Sequence, residues 1–214
     1  MRKMFRFLFW VALVLGILIG ALRATCIRWW RVPSDDPYLT ASTSPSVRGG
    51  DLILLWRGSK PGFGDLVVCP EPKHPERVVI ARIAGEERDT VTVEGADVTV
   101  NRKNIRTESN CMPSRFTEHD PGTGFEAEQT CSIESMGGST HMRGELAPGA
   151  PKPRDIQADV PIGQVWLVSD NRQFPWDSRE FGPVDRETCK EMVFFRLVGS
   201  GGYFDTSTRN QYIH

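Results

Sequence analysis

The sequence has five cysteines but no CxxC pair, and it carries almost no net charge. Without a CxxC pair a zinc site is not expected, and nothing else in the chain suggests a metal ion or an organic cofactor. The formal net charge is -1 over 214 residues, so the composition does not predict nucleic acid as a partner. Beyond the N-terminus the sequence also lacks any long apolar stripe with the 3.6-residue period of a helix, which predicts a mostly β protein.

One long apolar run is present, and it lies at the N-terminus. The 16 residues from Phe7 to Leu22 are apolar and would span roughly 24 Å as a helix, against about 30 Å for a hydrocarbon core. A cleaved signal peptide is the alternative, but Leu22 and Arg23 make a poor cleavage site. We therefore interpret residues 1–31 as a cytoplasmic tip, an uncleaved transmembrane helix and an interface. Basic residues before the span favour a cytoplasmic N-terminus, although others follow it.

Five short apolar runs that are rich in β-branched residues follow the anchor and predict strands. They are residues 51–56, 65–69, 77–83, 165–170 and 192–197. Turn signals of Gly, Pro and Asp separate them. Residues 90–101 alternate between apolar and polar on both sides of Gly95 and Ala96, which predicts a hairpin.

Residues 106–158 interrupt this pattern, because they are rich in Gly, Pro, Ser, Thr and Glu and have almost no apolar run. We interpret them as an inserted, loop-rich subdomain between two parts of one β core, residues 32–105 and 159–198. Residues 199–214 are polar, and we expect them to form a loosely held tail.

Four of the cysteines follow the anchor at separate places in the core and the insertion. Cys111 and Cys131 flank a polar, Gly-rich segment, and in an oxidising compartment they are candidates for a disulfide, the alternative being two free thiols. Closing a loop of that length would contribute about 3 kcal/mol on a chain-entropy argument. Cys69 and Cys189 lie in apolar stretches, where we expect core residues rather than reactive thiols.

Three segments carry a resemblance to a known family. YLTASTSPSVRGGD (38–51), ARIAGEERD (81–89) and SDNRQFPWDSREFGPV (169–184) resemble type I signal peptidases, the membrane-anchored serine proteases that remove signal peptides. The resemblance covers the anchor and most of the β core, and it is weak over residues 106–158. It implies an antiparallel signal peptidase-like core in the bacterial inner membrane, with the main domain outside the cytoplasm. The implied partners are signal peptides or preproteins at the surface of the lipid bilayer.

The first segment contains the position of the family's nucleophile. Ser42 takes that position, because Pro45 and the Gly-Asp pair that ends the segment follow at the family's spacing without a gap. Ser34 imitates the same motif but would need eight inserted residues. By resemblance, Thr40 takes the place of the hydroxyl residue that helps to form the oxyanion hole. A chance match of a Ser/Thr-rich linker is the alternative, and the fixed Pro and Gly-Asp offsets make it the poorer one.

The last segment agrees with the family's motif along its whole length. The agreeing residues are Asp170, Asn171, Arg172, Asp177, Ser178, Arg179, Gly182 and Val184. The resemblance implies that Asp177 and Arg179 form a charge-assisted network, together with Arg82, that holds this loop beside the site. A generic charged turn would not explain eight agreements in sixteen positions.

The residues that should activate the serine are missing. Ala81 stands where the family has its lysine base, and Pro175 stands where a serine bonds to that lysine. A serine hydroxyl is a weak nucleophile without an adjacent base, and proton transfer by a positioned base contributes typically about 10²–10⁴-fold. Lys73 and His74 are the nearest substitutes in sequence, but ordinary surface residues are the simpler interpretation of both.

Three functions therefore remain open from the sequence. The first is a signal peptidase-type endopeptidase that uses Ser42 with an unrecognised base. The second is a pseudoprotease that binds signal peptides without cutting them, and that either escorts them or regulates an active paralogue. The third hypothesis is a structural subunit of an envelope complex. Loss of the lysine together with its partner serine favours the pseudoprotease, whereas the retained Ser42 and Thr40 favour the enzyme.

Overall fold

A computed structural model describes residues 2–213. The chain begins with helix α1 (Arg2–Thr25), and its segment Lys3–Arg23 is long and apolar enough to cross a membrane. The large apolar side chains of this helix are exposed, as lipid contact requires. Its position and composition agree with the anchor that the sequence predicts.

Short strands make up most of the remaining described chain. They are β1 (Ile27–Arg31), β2 (Leu52–Trp56), β3 (Leu66–Pro70), β4 (Val78–Gly85), β5 (Thr90–Glu94), β6 (Asp97–Val100), β7 (Lys103–Asn104), β8 (Arg106–His119), β9 (Glu126–Met136), β10 (Ser139–Gly144), β11 (Ile156–Asp159), β12 (Gln164–Val168), β13 (Val184–Asp185), β14 (Glu191–Val198) and β15 (Gln211–Tyr212). Two short helices, α2 (Pro37–Thr43) and α3 (Ser178–Phe181), and a 3₁₀ turn (Arg186–Thr188) connect them. All five predicted strands and the predicted hairpin are confirmed.

The core is an eight-stranded antiparallel sheet in the order β1-β2-β14-β3-β4-β12-β13, with β15 added against β14. Alternation along β3 and β4 divides its side chains between two apolar clusters. Ile80 belongs to one cluster, together with Leu39 from α2. Ala81 belongs to the other cluster, together with Phe181 from α3. The mostly β fold that the sequence predicts is therefore confirmed.

The insertion has more regular structure than a loop-rich segment. Its strands β8 and β9 are 14 and 11 residues long and form a three-stranded antiparallel sheet with β10. Most side chains of β8 are exposed, so apolar periodicity could not reveal the strand. The boundary at residue 158 also needs correction, because β11 pairs with β5 and so belongs to a separate sheet of the core, ordered β11-β5-β6-β7.

The C-terminal segment is not a loose tail. Strand β15 pairs with β14, and the Ile213 N–H donates to the carbonyl of Phe194. Ile213 is buried in the same apolar cluster as Leu39. The backbone pairing, the Ile213 side chain and the ring contact of Tyr212 with Phe195 hold the segment, which a composition-based interpretation does not detect.

Both cysteine pairs are bridged. Cys111–Cys131 joins β8 to β9, as the sequence suggests. Cys69–Cys189 is a second disulfide that the sequence interpretation missed, and its partners are 120 residues apart. It links the end of β3 to the segment before β14, so it closes the apolar cluster that contains Ala81. Cys26 is the free cysteine of the described chain.

Candidate functional site

Helix α2 presents the position of the nucleophile. The side chain of Asp36 accepts hydrogen bonds from the N–H groups of Tyr38 and Leu39 at 3.0 and 3.1 Å, and Pro37 occupies the first helical turn. An aspartate cap followed by proline is a strong helix start, so a stretch of only seven residues becomes helical. The helix packs on β4 through Leu39, which fixes Ser42 beside the core sheet.

Ser42 is fully buried, with an exposed fraction of 0%. Its Oγ donates to the carbonyl oxygen of Leu39, 3.1 Å away in the same helix. Its carbonyl oxygen accepts the N–H of Asn171 at 3.0 Å. The structure therefore brings Ser42 and the 170–179 loop together, as the resemblance implies. The hydroxyl proton, however, is held by a backbone carbonyl of the same helix and not by a base.

Thr40 lies two residues before Ser42, on the other side of the helix. Its Oγ1 is buried and has no hydrogen-bond partner. A Cβ on residue 49 would lie 2.7 Å from this oxygen, so the Thr40 side chain can pack against the backbone there only because Gly49 has no side chain. An unpaired buried hydroxyl is costly to keep, and this one is free to donate to a ligand.

Ala81 and Pro175, which stand at the positions of the family's base and of its partner, lie among apolar side chains. Ala81 is fully buried in the cluster closed by Cys69–Cys189, and Trp176 packs against that cluster. Pro175 precedes Trp176, whose N–H donates to Ser169 Oγ at 3.1 Å.

Asp177 organises the loop that follows β12. Its carboxylate accepts the Ser169 N–H at 2.7 Å and the Arg179 guanidinium at 2.8 and 3.0 Å. Burial alone would raise the pKa of Asp177, but the charge of Arg179 and these hydrogen bonds lower it. Ser178 completes the loop, because its Oγ accepts the N–H of Leu167 at 2.9 Å. These partners are built into one rigid turn.

Arg82 does not join this turn, so the expected network with Asp177 and Arg179 is wrong in that detail. Its guanidinium donates to both oxygens of Asp170, at 2.7 and 3.2 Å, and to the carbonyl of Gly64. Arg82 and Ala81 are neighbours on β4 and point to opposite faces. The pair Arg82–Asp170 therefore supports the loop from the face opposite the vacant base position.

A buried ionic cluster that the sequence did not reveal lies beside Arg82–Asp170. At its centre is Glu134 of β9, fully buried, which accepts Arg143 Nη1 at 2.9 Å and His141 Nε2 at 3.1 Å and pairs closely with Arg172. His141 also lies 3.9 Å from Asp170 Oδ1. Glu134, His141 and Arg143 come from the insertion, whereas Arg172 and Asp170 come from the core. This ionic cluster therefore joins the two, together with the backbone hydrogen bonds of Gly144 to Asp170 and Arg172.

The ionic cluster shifts the pKa values of Glu134 and His141. Burial alone would raise the pKa of Glu134, but Arg172, His141 and Arg143 together hold it far below its usual value. Burial and the charge of Arg82 lower the pKa of His141, despite its bond to Glu134. His141 is therefore neutral at pH 7, with Nε2–H donating to Glu134 and an unpartnered Nδ1.

The alternative bases do not lie in the site. Lys73 and His74 are exposed in the turn between β3 and β4, where His74 Nδ1 is 3.4 Å from Glu76. His141 has a free acceptor nitrogen, but its polar contacts are with Glu134 and Asp170 and not with Ser42. The described residues thus offer Ser42 no evident proton acceptor apart from backbone carbonyls.

An aromatic cleft of about 410 Å³ opens beside the site. Its lining includes Tyr38 of α2, Phe174 and Trp176, with Asp120 and Glu180. The rings of Tyr38 and Trp176 are 4.9 Å apart. Prolines of the insertion complete the lining. The aromatic cleft therefore lies between the core and the insertion, with Pro175 in its wall.

Comparisons with known proteins agree with this geometry. The family described as signal peptidase, peptidase S26, matches residues 4–198. Signal peptidase I V of Bacillus subtilis (strain 168) is 25% identical over 122 residues, which cover 56% of this chain and 56% of that protein. The mitochondrial ATP-independent inner membrane protease subunit 1a of Arabidopsis thaliana is 25% identical over 152 residues, 69% of this chain and 60% of that protein. The matches thus span little more than half the length of these relatives. Because the family match covers most of the chain, the chain belongs to the signal peptidase family, peptidase S26.

Proposed function

We propose that this chain is a membrane-anchored pseudoprotease of the signal peptidase family. It binds extended segments of exported proteins at a membrane surface and does not cleave them by Ser/Lys chemistry. The observation that carries the proposal is the environment of Ala81, a fully buried methyl group in an apolar, disulfide-closed cluster. A lysine base needs that position, and its orienting serine needs the position of Pro175.

The retained parts of the fold support binding. Ser42, the 170–179 loop and the apolar sheet faces are all in place, so a groove that accepts an extended segment by strand addition is compatible with the fold. The relatives' names place one in signal peptide removal and the other in a mitochondrial inner membrane. For this chain we propose a bacterial inner membrane with the β domain outside the cytoplasm, where both disulfides can form.

Slow proteolysis by Ser42 is the second candidate function. The observation that favours it is the buried Thr40 Oγ1, a hydrogen-bond donor without a partner, which would have to turn toward Ser42 to stabilise an oxyanion. Removing the base while keeping such a donor leaves residual catalysis in serine hydrolases. This candidate requires that a base arrive with the substrate or through a rearrangement of α2.

The full-length protein in non-ionic detergent tests both. A labelled preprotein with a standard junction reports cleavage on a gel, and a labelled signal peptide reports binding by fluorescence anisotropy. We expect saturable binding and no cleavage. The Ser42→Ala variant should bind as the parent does, because among the described residues Oγ hydrogen-bonds only to the Leu39 carbonyl.

Ser44→Ala is the matched control, because Ser44 is equally buried and its Oγ has no partner. Cleavage at the junction that Ser42→Ala abolishes and Ser44→Ala retains would overturn the pseudoprotease and establish the second candidate. Absence of any binding would overturn the binding function itself.

A further inference from the structure

The aromatic cleft combines rings with carboxylates. Tyr38, Phe174 and Trp176 contribute rings, and Asp120 and Glu180 contribute carboxylates. An aromatic face attracts a cation through its quadrupole, and a carboxylate attracts it through charge. The two together are the chemistry that recognises an ammonium or guanidinium group.

The indole of Trp176 already has a cation beside it. The guanidinium carbon of Arg77 lies 4.9 Å from the centre of the ring, and Arg77 Nη2 is 3.6 Å from Asp36 Oδ2. Arg77 lines the neighbouring groove, which shares Tyr38 with the aromatic cleft. It therefore shows that this indole accepts a basic side chain, and it does not fill the cleft.

Arg77 does not neutralise the carboxylates of the aromatic cleft. Glu180 is exposed and has no ion-pair partner among the described residues. Asp120 accepts the Gly122 N–H at 2.8 Å through Oδ1, which leaves its second oxygen for a ligand. Lys152 is the cation of the described lining, so two carboxylates face one amine. Charge complementarity favours a basic occupant.

The neighbouring groove also has an excess of negative charge. Asp35, Asp36 and Glu76 line it, against Arg77. Acidic side chains therefore lie on both sides of Tyr38, in the aromatic cleft and in this groove, and would repel an acidic occupant.

We propose that the aromatic cleft binds a lysine or arginine side chain of the extended segment, close to the junction that lies at Ser42. This inference rests on the proposed binding function and names the class of segment that the chain selects. A cleft of about 410 Å³ is large enough for one long basic side chain and its backbone. Ring and carboxylate together should make such a segment bind about tenfold more tightly than a neutral one.

The probes are labelled synthetic peptides with an Ala-x-Ala junction and one variable residue, moved through the positions on each side of the junction. That residue is lysine, norleucine or glutamate, which keeps the length similar and changes the charge. Binding to the full-length protein in non-ionic detergent is measured by anisotropy. At one position we expect lysine to bind about tenfold more tightly than norleucine, and glutamate to bind most weakly.

Four variants of the protein locate the effect. Glu180→Gln and Trp176→Leu should each remove most of the lysine preference, whereas Lys152→Gln should increase it. Glu187→Gln removes another exposed carboxylate, paired with Lys60 outside the cleft, and should leave the preference unchanged. Because the Glu180 carboxylate makes no hydrogen bond or ion pair among the described residues, its change should not alter folding.

The outcomes separate the two proposals. Equal binding of the three peptides at every position would overturn the cation site and leave the binding function standing. A lysine preference that survives Glu180→Gln and Trp176→Leu would also overturn the site, because the selectivity would then lie elsewhere. Failure of every peptide to bind would overturn the inference together with the function on which it rests.

Discussion

Glu134→Gln should be one of the most destabilising single substitutions in this protein. Glu134 is fully buried and pairs with Arg143, Arg172 and His141. The substitution keeps the shape and removes the charge, so the buried Arg172 loses its ion-pair partner among the described residues, and Arg143 keeps its pair with Glu145. Breaking a buried ion pair in this way costs about 3–5 kcal/mol, against a total stability of about 5–15 kcal/mol for a typical protein.

Urea unfolding of the full-length protein in detergent, followed by tryptophan fluorescence, measures this cost. With a slope of about 2–3 kcal/mol per molar urea, the midpoint should fall by about 1.5 M. Glu128→Gln is the matched control on the same strand, because Glu128 is 63% exposed and lies 3.4 Å from Arg115. An exposed pair contributes about 0–1 kcal/mol, so its midpoint should barely move. Equal midpoints for the two variants would refute the claim that Glu134 joins the insertion to the core.

Three other predictions concern the ionic cluster, the disulfide and the vacant base position. The free energy of unfolding should decrease as the pH is lowered below 6.5, because the pKa of His141 is lowered in the folded protein and the unfolded chain therefore binds a proton more readily. The dependence of this free energy on pH, measured from pH 7.5 to 5, should be weaker in His141→Gln. Cys189→Ser should lower the free energy of unfolding by about 4–5 kcal/mol on a chain-entropy argument, because Cys69–Cys189 spans 120 residues; urea midpoints measure it. Ala81→Lys with Pro175→Ser should produce junction cleavage in the gel assay, because the apolar cluster would keep the new amine neutral.

Each of these has a result that would contradict it. An unchanged pH slope in His141→Gln would assign the acid sensitivity to other groups. A midpoint in Cys189→Ser equal to that of the parent would show that the bridge adds nothing to the sheet. Absence of cleavage by a folded double variant would mean that Ser42 is out of reach of position 81.

The strands could be predicted because β-branched runs between turn residues are local signals, as in β3 and β4. The position of Ser42 could be predicted from spacing, and the structure places it against Asn171. The Asp36-Pro37 pair is also a local signal for the start of a helix, but α2 is too short to show a helical periodicity.

The parts that the sequence did not reveal depend on long-range packing. Disulfide connectivity cannot be deduced from cysteine positions, so Cys69–Cys189 was missed. Glu134 meets Arg172 only because the insertion folds back on the core. One local signal was overlooked. The Gly137-Gly138 pair between alternating residues marks the β9–β10 hairpin, which would have placed His141 and Arg143 on one face.

The strand order has a consequence for synthesis. Strand β14 lies between β2 and β3, although it follows them by more than a hundred residues in the chain. Until the ribosome has delivered β14, the inner edges of β2 and β3 expose unpaired N–H and C=O groups next to the anchored helix. A nascent chain in this state is open to pairing with any extended segment that emerges nearby. Its assembly therefore depends on late closure by β14, and a truncation before residue 191 should yield an aggregation-prone product.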